Sequence, residues 1–167
     1  DNLLTSSIGF ETDSEDAQCR LITSKHLLNK KEVTIINGYF PQGDNRDHPV
    51  KFPYKEKFFK DLMLHLNNNF KKNENIIILG DLNISPEDID IGIGDDNRKR
   101  WLATGKCSFL PEEREWLQKI KDWGFKDSYR KFYPDSDDKY SWFDYRSRGF
   151  DDSPKRGLRI DHLWVTE

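Results

Sequence analysis

Three observations predict an α/β fold: an apolar run from Val33 to Phe40, a helical stripe from Phe58 to Phe70, and an unbroken aliphatic run from Ile76 to Leu79. Strand, helix and strand in succession imply sheets covered by helices. The chain has 167 residues, enough for one domain with a substantial core, so a single domain over residues 1–167 is expected. Its composition is 35% apolar and 34% charged, but five Trp, six Tyr and eleven Phe supply bulky core material, and the chain is expected to fold.

Residues 1–8 read as a short strand that begins without an approach segment. Cys19–Ser24 and Val33–Phe40 read as a hairpin around Asn29-Lys30-Lys31, and Pro41-Gln42-Gly43 is a loop signal. Phe58, Phe59, Leu62, Met63, Leu66 and Phe70 recur every three or four residues, the spacing of an amphipathic helix, with His65 off the centre of the stripe and expected to be exposed. The run Ile76–Leu79 suits a strand buried on both faces. From Ile89 to Lys106 there is no clear period, which predicts a long surface excursion, and Gly92 and Gly94 complete neither phosphate-binding glycine pattern. Pro111, followed by Glu112 and Glu113, opens a second helix that Gly124 closes, with Trp116, Leu117, Ile120 and Trp123 as its apolar face. Asp127–Pro134 reads as a connector, and Tyr140–Tyr145 and Leu158–Val165 as two strands. In the second of these, Arg159, Asp161 and Leu163 share one face and Leu158, Ile160, His162 and Trp164 the other.

Several classes are set aside by what the residues lack. Cys19 and Cys107 have no zinc-finger or redox spacing, which favours a reducing compartment. No apolar run approaches the ~20 residues of a membrane span, so a soluble, cytoplasmic protein without a membrane partner is expected. A net charge of -3 argues against wholesale polyanion binding, yet Arg98-Lys99-Arg100 and the set Arg146, Arg148, Lys155, Arg156 and Arg159 are local basic clusters. Each is either a phosphate track or a solvated face.

The chemistry concentrates between Asn75 and Asp90. Asp81 and Asn83 emerge two residues apart from the end of the Ile76–Leu79 strand and point the same way if the segment stays extended. A carboxylate and a carboxamide so placed can hold a hard cation, orient a water or contact a phosphate, or simply form a turn. Counting from Asp81, Pro86 and Gly92 fall where an EF-hand needs Gly and Glu, which excludes that loop. Asp161 is a carboxylate inside an apolar strand and needs a partner, either Arg159 or a functional group. Tyr39 is either a core aromatic or a site residue.

Taken together, NGYFPQG from Asn37, the following DHPVKFP, GDLNISPEDIDIG from Gly80, NRKRWL, GKCSFLPEEREW, YSWFDYRSRGFDD and GLRID from Gly157 resemble the exonuclease III family of abasic-site endonucleases, within the DNase I-like superfamily. The resemblance implies a four-layer α/β sandwich of two packed sheets flanked by helices, here incomplete at both ends. It also implies magnesium-dependent phosphodiester hydrolysis, with manganese as a substitute. Activity would fall 5′ to abasic sites in double-stranded DNA and at 3′ ends, in a monomer working near the bacterial nucleoid. By motif, Tyr39 is the tyrosine that contacts the scissile phosphate, Asp81 prepares the attacking water or protonates the leaving oxygen, Asn83 stabilises the developing charge, and Asp161 orients a histidine. Asp81 and Asn83 are also the implied metal donors. Trp142, Leu158 and Ile160 correspond to the pocket for a base-less sugar, and Gln42 and Arg146 to phosphate and DNA contacts.

The family's N-terminal Asn and Glu and its C-terminal Ser-Asp-His have no counterpart here, and His162, adjacent to Asp161, lies on the opposite face and is not the family histidine. The chain is therefore expected to be an internal portion of such a protein, inactive and marginally folded alone. A non-catalytic DNA-binding module and a phosphodiesterase acting on lipid headgroups are the alternatives.

Overall fold

The computed structural model describes residues 2–15, 17–146 and 148–167. Strands β1 (Asn2–Ile8), β2 (Leu21–Leu28), β3 (Lys31–Tyr39), β4 (Ile76–Asp81), β5 (Phe125–Asp127) and β8 (Asp161–Thr166) form one mixed sheet in the order β1-β2-β3-β4-β8-β5. A small second sheet pairs β6 (Trp142–Phe143) with β7 (Gly157–Leu158). The expected α/β class holds.

The β2–β3 hairpin closes on Asn29 and Lys30, both left-handed at φ 49° and 64°. Two successive positive φ angles make the tight turn whose twist matches its strands. β3 then crosses to β4 in parallel through α1 (Lys51–Asn69), and β8 returns antiparallel to β4. α1 lays Phe58, Phe59, Leu62 and Leu66 on one face of the sheet, and α3 (Pro111–Trp123) adds Trp116, Leu117, Ile120 and Trp123. These close over Ile36, Ile76, Ile78 and Trp164. Fully burying one such side chain is worth about 1.5–3 kcal/mol, so this face supplies most of the stability.

Several elements differ from their sequence reading. The Ile76–Leu79 strand is buried on one face only: Ile76 and Ile78 are covered, whereas Ile77 and Leu79 are half-buried, because α1 and α3 lie on the same side. His65 is buried rather than exposed, since it continues the α1 stripe one turn past Leu62 and lies between Thr23 (3.3 Å) and Glu11 (3.0 Å). The 89–106 excursion contains α2 (Asp95–Ala103), which buries no residue fully. Asp95 and Asp96 in its first turn and Arg100 in its last suit the helix dipole. The 127–134 connector includes the last residue of β5 and α4 (Ser128–Phe132), N-capped by the Asp127 carboxylate. Of Tyr140–Tyr145, only Trp142–Phe143 is strand.

The expected final strand is broken at Arg159-Ile160 into β7 and β8. Arg159 is turned inward there, donating from Nε to Asp90 at 2.7 Å and from Nη2 to Asp127 at 2.6 Å. Its neighbour His162 is buried as well; burial, then repulsion from Arg159, lowers its pKa to about 4. Neutral His162 donates from Nε2 to the Ile84 carbonyl (2.9 Å), leaving Nδ1 to accept from Arg159 (3.0 Å).

Candidate active site

The sheet register assembles the site. Tyr39 at the end of β3 pairs with Asp81 at the end of β4, and Asp81 pairs with Asp161 at the start of β8. Residues in register on adjacent strands share a face, about 5 Å apart. A phenol and two carboxylates thus form a row across three strands, on the face away from α1. Gly80 makes this closeness possible: its φ is +125°, and a Cβ there would collide with the Gly38 carbonyl oxygen.

Asp81 is the electrostatic centre. Burial raises its pKa, the backbone hydrogen bond from Asn83 (2.8 Å) opposes that, repulsion from Asp161 adds to it and Lys55 partly offsets it, leaving the group pushed up to about 6. A carboxyl titrating near neutrality can pass a proton in either direction. Asn83 is buried in a left-handed conformation at φ 53°, a region Asn tolerates better than most residues. Its Nδ2 donates to the Phe40 carbonyl at 2.8 Å. Asp161 is exposed and takes no ion pair from Arg159, which corrects the pairing considered above: the strand break sends Arg159 to Asp90 and Asp127 instead.

Tyr39 is 58% exposed. The Arg20 guanidinium lies over its ring, 5.0 Å from the centroid, and Nη1 donates to the Tyr39 carbonyl at 3.2 Å. Arg20, Tyr39, Asn37 and Asp81 line a cleft of about 450 Å³. A larger cleft of about 760 Å³ opens beside Gln42, with Arg20, Lys51 and Tyr54 on its walls. Gln42 is exposed, and its Oε1 accepts from the Asp44 amide at 2.6 Å.

The structure also brings Trp142, Leu158 and Ile160 together. Trp142 pairs with Leu158 across β6–β7, and Leu158 and Ile160 are buried in an apolar cluster with Ile93 and Phe109. Trp142 is half-buried and meets Trp101 edge-on at 6.3 Å. The Ser141 hydroxyl accepts from the amides of Ile160 and Asp161, both at 3.0 Å, joining this cluster to the row. Arg146 is exposed in the loop after β6. The basic loop is no uniform cationic track: Arg148 pairs with Asp151, Arg156 with Asp152, and Arg159 is internal.

Among the described residues, no group of three or more His, Cys, Asp or Glu converges on one point. Two acidic neighbours with one pKa raised are nonetheless what a divalent cation relieves. Magnesium commonly takes one or two carboxylates plus water and substrate phosphate, so Asp81, with Asp161 alongside and Asn83 behind it, fits such an ion.

Sequence reasoning missed Arg20, Lys55 and Glu113. Lys55 left a trace, because it lies three residues before Phe58 on the apolar stripe of α1. Arg20 left none, since its partner is set by tertiary placement, and Glu113 was legible only as part of the start of α3, where it caps the Leu110 amide three residues back.

A row of Tyr, Asp and Asp at adjacent strand ends, over a sheet layered by helices on one side, defines an α/β protein with two carboxylates and a phenol side by side on one sheet face. The Endonuclease/Exonuclease/phosphatase family matches residues 7–167, and the chain belongs to it. It is 59% identical over 159 residues to exodeoxyribonuclease III of Haemophilus influenzae, covering 95% of this chain and 59% of that protein. It is 29% identical to an exodeoxyribonuclease of Bacillus subtilis, covering 95% of this chain and 57% of the relative. Among solved structures it is similar to the 3′-5′ exonuclease NExo of Neisseria meningitidis, with a TM-score of 0.81 and 33% identity over 98% of this chain and 59% of that one. The AP endonuclease of Archaeoglobus fulgidus matches with a TM-score of 0.81 and 28% identity, covering 99% of this chain and 59% of that one. The chain spans less than two thirds of these relatives. None of its helices is long and apolar enough to cross a membrane, among the described residues.

Proposed function

We propose that this chain carries the central part of a DNA-repair nuclease of the exodeoxyribonuclease III type, hydrolysing phosphodiester bonds 5′ to abasic sites and at 3′ ends of double-stranded DNA. One observation carries the reading: the sheet register aligns Tyr39, Asp81 and Asp161 in a single row. The likeness to exodeoxyribonuclease III and to NExo, a variant form of which bound to a product DNA hairpin is also a structural neighbour, supports DNA as the substrate.

In this mechanism Tyr39 donates its phenol to a non-bridging oxygen of the scissile phosphate, with Arg20 fixing its backbone and ring. Asp81 holds or moves the proton at Oδ2, because Oδ1 is occupied by the Asn83 amide. Its pKa near 6 suits both the activation of water and the protonation of the departing sugar oxygen. Asn83 presents its carboxamide beside the charge that develops on phosphorus. Asp161 keeps this end of the row anionic. Asp81 and the neighbouring oxygens would hold magnesium, or manganese in its place, and the ion would supply charge neutralisation at the phosphate. Gln42 and Arg146 contact the DNA backbone, and Trp142 with Leu158 and Ile160 forms the apolar wall that accepts a sugar without its base. Extruding an abasic nucleotide has the smallest unstacking cost. A cytoplasmic monomer suits this work.

The test is cleavage of a duplex carrying one tetrahydrofuran abasic analogue, with magnesium and with chelator, by this chain and by a longer protein built on it to the length of its relatives. Magnesium-dependent incision 5′ to the analogue by the longer protein is expected, with Asp81→Asn lowering turnover by about 10²-fold or more and leaving duplex affinity within a few fold. No incision by either protein overturns the reading.

A further inference from the structure

We infer that the fully buried Lys55–Glu113 ion pair is a positioning device for the site, fixing the loop after β3 and the loop after β4 to one another and to the N-terminus of α3. The inference rests on the functional reading above for its catalytic meaning, but its geometry stands apart from it.

Lys55 and Glu113 are both 0% exposed. The Lys55 ammonium has three hydrogens and finds three acceptors: the Gln42 carbonyl at 3.1 Å, the Asn83 carbonyl at 2.9 Å and Glu113 Oε1 at 2.6 Å. Glu113 uses its other oxygen to accept from the amides of Ser108 and Leu110, each at 2.8 Å. Ser108 in turn accepts the Ser85 amide at 2.6 Å. Four segments, at residues 42–44, 83–85, 107–110 and 113, are thus closed around one cation. Packing is tight as well as polar, since a Cβ on Gly43 would lie 2.9 Å from both Lys55 Cδ and Cys107 Sγ.

An ion pair kept for stability alone is a poor choice here. Desolvating two charges offsets most of their attraction, and an apolar replacement of equal volume is commonly neutral or better. What an apolar pair cannot do is donate to two backbone carbonyls at once. One of those carbonyls belongs to Asn83, whose left-handed backbone is held at three points: its amide by Asp81, its side chain by the Phe40 carbonyl and its carbonyl by Lys55. The other belongs to Gln42. Lys55 therefore couples a residue expected beside the reacting phosphate to one expected on the DNA backbone, while touching neither reacting atom. It is a positioning residue.

The experiment is native-state hydrogen exchange on the 167-residue chain, comparing wild type with Lys55→Met/Glu113→Gln, in which no buried charge is left unpaired. Expected is at least a 10-fold loss of protection at the Asn83 amide that is insensitive to low denaturant, the mark of local opening, with strand β3 amides following global unfolding only. Unchanged Asn83 protection in the folded double variant overturns the inference. If that variant does not fold, wild type decides: the amides of Asn83, Ser108 and Leu110 should share one opening free energy, and an independent, easier opening of Asn83 overturns it. In the longer protein the double variant should lower kcat by 10-fold or more with duplex affinity within a few fold; affinity falling in step with kcat overturns the positioning role. Because the exchange readout needs no cleavage, failure of the nuclease reading would be seen separately, as inactive wild-type protein with the Asn83 result unaffected.

Discussion

Replacing Asp81 with Asn should make the folded chain more stable, and only at neutral and alkaline pH. The folded carboxyl has its pKa pushed up to about 6 from an ordinary value of 3.8. A raised folded pKa means that the protonated group favours the fold below about 3.8, and that this contribution is lost as pH rises through about 6. Roughly two units at 1.36 kcal/mol each set a ceiling of about 3 kcal/mol, which solvent access at a half-buried group reduces to about 1–2 kcal/mol. Asn is a permanent mimic of the neutral acid, and its Oδ1 can still accept the Asn83 amide. Urea unfolding in the presence of chelator measures the effect. With a slope of about 2 kcal/mol/M for a small protein, the midpoint at pH 8 should rise by about 0.5–1 M, and the two proteins should coincide below pH 4. A pH-independent gain, or a loss at pH 8, would refute the account of Asp81 as a group held charged against its environment.

Three further perturbations follow from the same structure. Arg159→Met leaves Asp90 and Asp127 buried without their main cation and should cost about 3–5 kcal/mol, read as a urea midpoint about 1–3 M lower; a loss under 1 kcal/mol contradicts the buried network. His162, lowered to about 4 by burial and by Arg159, contributes stability that is present above pH 6.5 and lost as pH falls through about 4. That loss should amount to about 2–3 kcal/mol, and His162→Gln should flatten the pH profile in that window. Gly80→Ala forces a Cβ against the Gly38 carbonyl at positive φ and should cost at least ~2 kcal/mol by thermal or urea unfolding.

Most of what local pattern governs was legible. The hairpin at Asn29-Lys30, the stripes of α1 and α3 and the aliphatic β4 each follow from spacing within a dozen residues, whereas Tyr39, Asp81, Asn83 and Asp161 stayed open between core, turn or ion-pair roles and a site until the family resemblance assigned them. What spacing could not supply was their alignment, which depends on the β3–β4 and β4–β8 registers between strands far apart in sequence. The internal charges were illegible for the same reason: Lys55 meets Glu113 across 58 residues and Arg159 meets Asp90 across 69. From sequence each looks like a solvated surface group, apart from the place of Lys55 on the apolar stripe of α1. Arg159 was even assigned to the basic loop, and its inward turn depends on a strand break that alternation cannot foresee. α2 escaped because it buries nothing fully and so carries little periodicity.

Several local rules are broken around the row of Tyr39, Asp81 and Asp161. An asparagine at positive φ, a glycine whose Cβ would meet the Gly38 carbonyl, a carboxyl with a raised pKa and a fully buried lysine all lie at the ends of β3 and β4, in the loops that follow them or against those loops. Each costs stability where it stands, and strained or desolvated groups persist only where their surroundings over-determine them. Here the surroundings are Lys55 and Glu113, the Phe40 carbonyl and the paired strand ends. The core beneath, made by α1 and α3 against Ile36, Ile78 and Trp164, is ordinary close packing and tolerates that load. Other deviations lie elsewhere, at the left-handed Asn29 and Lys30 of the hairpin and at the buried Arg159 with Asp90 and Asp127. Those around Asp81 outline a polar row on one face of a sheet whose other face carries the aromatic and aliphatic core.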